Sequence, residues 1–272
     1  MHIVVDIGGT KTRVAASRDF ETLGATKIFP SVQPYEGGVA AIVAAARECA
    51  SGEHIDAISV GAPGVIAPDH GSLLKCKNLA DWKGKPLADD LHVALGGIVH
   101  LENDTALCGL GESHFGAGKG VDVMMYMTVS TGVGGARIVR GGLDSPERSA
   151  EIGDEYFDMG GELHKFDDYI SGRAIQAKFG MPPRDLGKDH GVWEELAREV
   201  AIGLHNASLF WTPERIVLGG SMFNEIGIPV DRVRFHLQSI MTALPTIPEV
   251  VHSALGDVGG LWGGLALLKQ RS

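Results

Sequence analysis

Two stretches of this chain share one layout: an apolar run, a short turn of glycine and small polar residues, and a second apolar run. They are "IVVDIGGTKTRVAAS", from Ile3 to Ser17, and "VDVMMYMTVSTGVGGARIVRGGL", from Val121 to Leu143. The resemblance between them covers only the hairpins and reads as a weak internal repeat. Further strands are expected at Leu23–Phe29 and in "IDAISVGAPGVI", "GGIVHLEND", "ERIVLGGS" and "PEVVHSAL". Between them, helical spacing predicts helices over Gly38–Ala50, in "TALCGLGESHF", over Tyr169–Phe179, Val192–Phe210 and Arg232–Ala243, and in the closing "DVGGLWGGLALLKQ". Strands alternating with helices predict an α/β class. At 272 residues the chain has room for two domains. The expected division is an N-terminal α/β domain over 1–110, completed by a C-terminal helix at 258–270, and a C-terminal α/β domain over 111–257.

Composition removes several classes of function. A net charge of −10 argues against a nucleic-acid groove. Cys49, Cys76 and Cys108 lie far apart, which does not make a disulfide framework and suits a reducing compartment. The N-terminus lacks a basic leader segment, and no apolar run approaches the ~20 residues of a membrane helix. A soluble, cytoplasmic protein without a membrane partner is the expectation.

The turns carry the chemistry. A Gly-Gly hairpin does not require an aspartate, yet the first strand ends in Asp6. One reading has Gly8 and Gly9 bring backbone N–H groups close to an anion, with Thr10, Lys11 and Thr12 adding donors and charge and Asp6 facing Mg²⁺ or its waters. The other is a plain hairpin in which Asp6 satisfies turn amides. "STGVGGAR" repeats the logic with Thr131, Gly132, Gly134 and Gly135, and again reads equally as hairpin or phosphate cradle. Gly219, Gly220 and Ser221 form a third glycine turn after a strand, suited to close approach of a flat ring or ribose. "GAGKG" at 116–120 is no Walker loop, because Ser113 and Gly120 stand where that motif needs glycine and a hydroxyl residue. In "LENDTAL", Asp104 is either a helix cap or a general base for a hydroxyl nucleophile.

In order, "DIGGTKTRVA", "GAPGVI", "NLADWKGKPL", "LENDTALCGLGE", "TVSTGVGGARIV", "AEIGDE", "YISGRAI" and "IVLGGSMF" resemble the motifs of ROK-family proteins. These are sugar kinases and sugar-responsive repressors of the hexokinase/actin-like ATPase superfamily. The resemblance implies a two-domain actin-like (ribonuclease H-like) fold with its active site in an interdomain cleft, binding ATP, Mg²⁺ and a hexose. It implies Asp6 near the metal, the loops at Gly8–Thr12 and Thr131–Gly135 around the phosphates, and Gly219–Ser221 near adenosine. Asp104 matches the catalytic base, Asn78, Asn103 and Glu151 match sugar-hydroxyl ligands, and Gly64 lies in a turn lining the sugar pocket. A homodimer is the family expectation. Because the first strand starts at residue 2, there is no room before it for the DNA-binding segment of the repressors, and a kinase is expected.

The chain departs from the family pattern in one segment. Asp154 replaces a histidine that helps hold the sugar, and the cysteines of a structural zinc loop are missing, so no zinc is expected. Asp167 aligns with a family glutamate one carbon longer. A pocket holding Asp104, Glu151, Asp154 and Asp167 would be rich in negative charge, which suggests a cationic amino sugar as an alternative to a neutral hexose. N-acetylmannosamine and fructose are further alternatives, as is polyphosphate as donor. The rival of another class is a non-catalytic sugar sensor, and a third reading is an actin-like ATPase without a sugar.

Overall fold

The computed structural model describes residues 1–144, 150–158, 160–224 and 227–272. Among these, the chain divides into two compact units: Met1–His114 with Val258–Ser272, and Phe115–Asp144 with Ala150–Asp257.

The first unit is built on β1 (His2–Ile7), β2 (Lys11–Ser17), β3 (Lys27–Pro30), β4 (Ala57–Ala62) and β7 (Ile98–Asn103), in the order β3-β2-β1-β4-β7. A small hairpin of β5 (Val65–Ile66) and β6 (Leu73–Lys75) lies between β4 and β7 in sequence. The first three strands run antiparallel, and β1, β4 and β7 run parallel. β1 is buried on both faces, and its alternation divides two cores. Ile3, Val5 and Ile7 join the core that includes residues of α1 (Tyr35–Ala50) and α2 (Leu87–Leu95), while Val4 joins Leu261, Leu265 and Leu268 of the C-terminal helix Gly259–Arg271. Asp6, two residues on from Val4, shares the face toward that helix. Another helix of this unit, α3 (Asp104–Phe115), follows β7 directly. It meets the C-terminal helix backbone to backbone: a side-chain carbon on Gly111 would come within 2.8 Å of the Gly263 nitrogen.

The second unit repeats the plan. β8 (Val123–Val129), β9 (Val133–Val139), β10 (Gly142–Leu143), β13 (Arg215–Gly219) and β14 (Glu249–His252) form a sheet in the order β10-β9-β8-β13-β14, with antiparallel pairs first and parallel ones after. Between β10 and β13 the chain forms a hairpin of β11 (Tyr156–Asp158) and β12 (Leu163–Lys165), then α4 (Phe166–Ile170), α5 (Gly172–Phe179) and α6 (Val192–Trp211); α7 (Ser221–Asn224) and α8 (Val230–Ile240) follow β13. The core gathers the buried apolar stripe of α6, including Leu196, Val200 and Leu204, with Met125, Met127, Ile216 and Leu218 of the sheet. The α/β class is as expected, and the repeat extends from the hairpins to whole five-stranded sheets.

Two of the differences from expectation have a local physical cause. The third strand starts at Lys27, because its pairing with β2 stops at Val14 opposite Lys27. The helix expected over Tyr169–Phe179 is interrupted at Ser171, which takes an extended conformation (ψ 155°) and accepts a hydrogen bond from the Ala174 amide at 3.2 Å, capping α5.

Candidate active site

In the first unit the parallel strands bring their C-terminal ends to one edge. Asp6 of β1 is opposite Gly61 of β4, which is opposite Glu102 of β7. Two strand spacings therefore separate the Asp6 and Glu102 backbones, about 10 Å. This edge of an open α/β sheet is where ligands of such folds bind.

Asp104 opens α3, yet it is not the cap. Asn103 takes that role: its Oδ1 accepts from the Ala106 amide at 3.0 Å, and its Nδ2 donates to the Gly64 carbonyl at 2.9 Å. The second bond ties the β7–α3 joint to the turn after β4, where Gly64 (φ +94°) has a backbone that only glycine adopts easily. Relieved of capping, Asp104 anchors one oxygen, Oδ1, on the Thr105 amide at 2.7 Å. Oδ2 has no protein partner among the described residues. Desolvation raises the carboxyl to about 6, against the stabilising hydrogen bonds from Thr105. Just upstream, Glu102 is buried and accepts from the Asn103 amide at 2.8 Å; burial pushes its carboxyl up as well.

The hairpin 8–11 closes with the Gly8 amide on the Lys11 carbonyl at 2.9 Å. Neither glycine has positive φ, so the turn itself does not demand them. Gly9 is crowded by a neighbour instead: a side-chain carbon there would sit 2.8 Å from the Asn78 amide nitrogen. The loop carrying Asn78 is fixed by Trp82, buried, whose indole N–H donates to Val32 and Gln33 carbonyls at 3.2 and 3.1 Å, and by Gln33 Nε2 on the Asn78 carbonyl at 2.8 Å. Two candidate residues from different motifs, Gly9 and Asn78, are thus neighbours.

Ser31 organises the rest of this hairpin, and sequence reading did not single it out. Its hydroxyl donates to the Gly8 carbonyl at 2.7 Å, its amide donates to the Thr10 carbonyl at 3.0 Å, and Thr12 Oγ1 lies 3.0 Å from Ser31 Oγ. The carbonyls of Gly8, Thr10 and Lys11 are therefore all occupied, whereas the amides of Gly9 and Thr10 have no protein partner among the described residues. Thr12 is buried beneath the turn, and Thr10 and Lys11 are exposed. Asp6 is nearly buried and lies 3.4 Å from Arg13 Nη1. A side-chain carbon on Gly260 would come within 2.8 Å of its Oδ1, so the carboxylate has room only because that residue is glycine. One carboxylate beside a row of free amides fits Mg²⁺ in the form it takes with nucleotides, bound through few protein oxygens plus waters and phosphates. Among the described residues, no group of three or more His, Cys, Asp or Glu side chains could hold a metal ion by itself.

In the second unit, the loop Ser130–Gly132 obeys the same rule. The Ser130 carbonyl accepts from the Gly172 amide at 2.7 Å, that of Thr131 from the Arg173 amide at 3.4 Å, and that of Gly132 from the Ser130 amide at 2.9 Å. The Val133 amide donates to Asp167 Oδ1 at 2.8 Å. The amides of Thr131 and Gly132 are left without protein partners among the described residues. Carbonyls tied inward and amides free make a loop that attracts anions. Register places Thr128, Gly134 and Gly219 in one row across β9, β8 and β13, so the turn at Gly219–Ser221 emerges at the same end of this sheet. Gly220 (φ +94°) needs to be glycine, since a side-chain carbon would lie 2.6 Å from Thr128 Oγ1. Gly135 is buried against Ile152.

The carboxylates of this unit separate. Glu151 and Asp154 are exposed, and Asp154 pairs with Lys165 Nζ at 2.8 Å across the β11–β12 hairpin. Asp167 is buried and pairs with Arg173. Two of the four carboxylates that suggested a cationic sugar thus carry their own cations.

The sequence profile of the ROK family matches residues 2–271. A glucokinase of Streptomyces coelicolor is 26% identical over 98% of this chain and 97% of its own length. An N-acetyl-D-glucosamine kinase of Vibrio cholerae is 26% identical over 98% of this chain and 99% of its own. The crystal structure of a ROK family glucokinase from Streptomyces griseus, in complex with glucose and AMPPNP, shares the fold with a TM-score of 0.84 at 25% identity, covering 99% of both chains.

Proposed function

The chain belongs to the ROK family, and on that premise we propose that it transfers the γ-phosphoryl group of ATP to a hydroxyl of a hexose, with glucose and its 6-hydroxyl as the first substrate to test. The observation that carries this reading is Asp104, a carboxylate with one oxygen anchored on Thr105 and the other free, whose capping duty has passed to Asn103. A sugar sensor needs no such base.

Asp104 accepts the proton of the attacking hydroxyl as the bond to phosphorus forms. A carboxyl raised to about 6 is a better match to neutral pH than an ordinary one and still mostly ionised there. Phosphoryl transfer depends chiefly on positioning and charge stabilisation. The free amides of Gly9 and Thr10, and those of Thr131 and Gly132 with the Thr131 hydroxyl, supply donors for phosphate oxygens. Asp6 would hold Mg²⁺, which when bound with ATP neutralises the triphosphate. Asn78, packed over Gly9, and Glu151 are assigned to sugar hydroxyls, and Gly219–Ser221 to the adenosine. Asn103 keeps the Gly64 turn and Asp104 in fixed relation, with its second Nδ2 proton available to the sugar. Among the sugars considered, a neutral hexose fits better than a cationic one, given the pairing of Asp154 and Asp167 with Lys165 and Arg173.

The test is ATP consumption with Mg²⁺ across a panel of neutral and amino hexoses, with Asp104→Asn beside the wild type. A sugar-dependent rate that the variant loses is the expected result. Sugar binding without sugar-dependent turnover would sink the kinase reading in favour of the sensor.

A further inference from the structure

The amides at the start of a helix are the usual place to bind an anion, but α5 uses its first two on its own protein. The amides of Gly172 and Arg173 go to the carbonyls of Ser130 and Thr131. Gly172 is glycine because a side-chain carbon there would lie 2.8 Å from the Ser130 oxygen. Asp167 completes the attachment from the preceding helix, α4: Oδ1 accepts the Val133 amide, and Oδ2 accepts from Arg173. A side-chain carbon on Gly132 would lie 3.2 Å from the same Oδ1. Every one of these contacts pulls on the back of the 130–133 loop, and what remains on its front is the pair of amides at Thr131 and Gly132.

Resemblance assigns Asp167 to the sugar. The geometry points elsewhere: we propose that Asp167, locked by Arg173, is a positioning residue for the nucleotide's phosphates, holding the Ser130–Gly132 loop with its amides outward, and that it makes no contact with the sugar. Arg173, on the same account, acts through Asp167 and not on the substrate. This inference rests on the kinase reading for its choice of ligands.

Two variants separate the assignments. Asp167→Asn keeps an acceptor for Val133 but removes the nearer of the two carboxylates beside Arg173, the other being Asp168 at 3.7 Å, and Arg173→Ala leaves the α5 amides in place while taking the cation from Asp167. Calorimetric titration measures Mg²⁺·AMPPNP and, separately, whichever hexose of the panel supports the fastest wild-type turnover. Both variants are expected to weaken the nucleotide about tenfold, the loss of one well-aimed charge-assisted contact, with hexose affinity within about twofold of wild type. General loosening of the fold would lower both affinities together. Hexose affinity falling as far as nucleotide affinity in either variant overturns the assignment, as does an unchanged nucleotide affinity in both. If the wild type binds Mg²⁺·AMPPNP but turns over no sugar, the kinase reading fails while the nucleotide arm still judges the loop.

Discussion

Replacing Asp104 by asparagine is expected to abolish turnover and to make the protein more stable. Burial raises this carboxyl from 3.8 to about 6 in the folded chain, which means the fold favours its neutral form. Well below pH 3.8 the group is protonated whether the chain is folded or not, and it costs nothing. As pH rises toward 6 the unfolded chain loses the proton first, and folding becomes less favourable by about 1.36 kcal/mol for each pH unit. A difference of roughly two pH units gives a penalty of about 3 kcal/mol, constant above pH 6. Asparagine removes that penalty and keeps an acceptor for the Thr105 amide. Without ligands, Asp104→Asn should therefore exceed the wild type by about 2–3 kcal/mol at pH 7.5 and by only about 0.5 kcal/mol at pH 4. Urea unfolding followed by circular dichroism at the two pH values measures the gap. The same variant should lose about 10²–10⁴ of the sugar-dependent rate. A variant no more stable than wild type at pH 7.5, or one equally favoured at both pH values, would refute the claim that this carboxylate is held desolvated for catalysis.

The remaining predictions are read by enzyme kinetics or binding. The acid limb of kcat/KM for the sugar should show an apparent pKa near 6, set by Asp104; a limb near 4 would mean the base is an ordinary exposed carboxylate. Gly260→Ala crowds Asp6 and should raise the Mg²⁺ concentration for half-maximal rate several-fold while sugar binding by calorimetry stays put; equal sensitivity of both would detach Asp6 from the metal. Asp154→Asn weakens an exposed pair with Lys165 and should leave the sugar KM within about twofold, so a large rise would place Asp154 in the sugar pocket. Ser31→Ala releases the Gly8 carbonyl from its hydroxyl donor and should raise the KM for ATP more than that for sugar, an order that steady-state titration of each substrate can reverse.

Asp6, Asp104 and the glycine turns were legible in the sequence because strand ends and tight turns are local matters, written within a few neighbouring residues. The α/β class followed from the alternation of those strands with helical spacing. What surrounds the turns was not legible. Ser31 reaches Gly8 from the start of the segment before α1, and Arg173 reaches Asp167 across a helix break, partnerships that only folding creates. Whether a carboxylate faces a substrate or a lysine is equally non-local, as Asp154 shows across its hairpin. Asn103 and Asp104 illustrate a finer limit: the sequence offers Asp104 as the cap, and its neighbour Asn103 takes that place. Helix α2 went unread although Leu87, Leu91 and Leu95 recur at helical spacing behind Pro86, a signal hidden by the helix's shortness. The likeness of the two sheets was visible only in their hairpins, since strand order is set by topology and not by local pattern.

The C-terminal helix packs on β1, which lies at the opposite end of the first unit's sequence, and at Gly263 against α3, whose first residue is Asp104. The second unit is encoded between them and needs nothing from the chain's last residues to close its own core. During synthesis the second unit can therefore fold while the first still waits for its C-terminal helix, encoded after the second unit, to emerge. A nascent or prematurely terminated chain would present a folded second unit and an open apolar face of Val4 and Ala15. The C-terminal helix covers that face and supports the helix that carries Asp104.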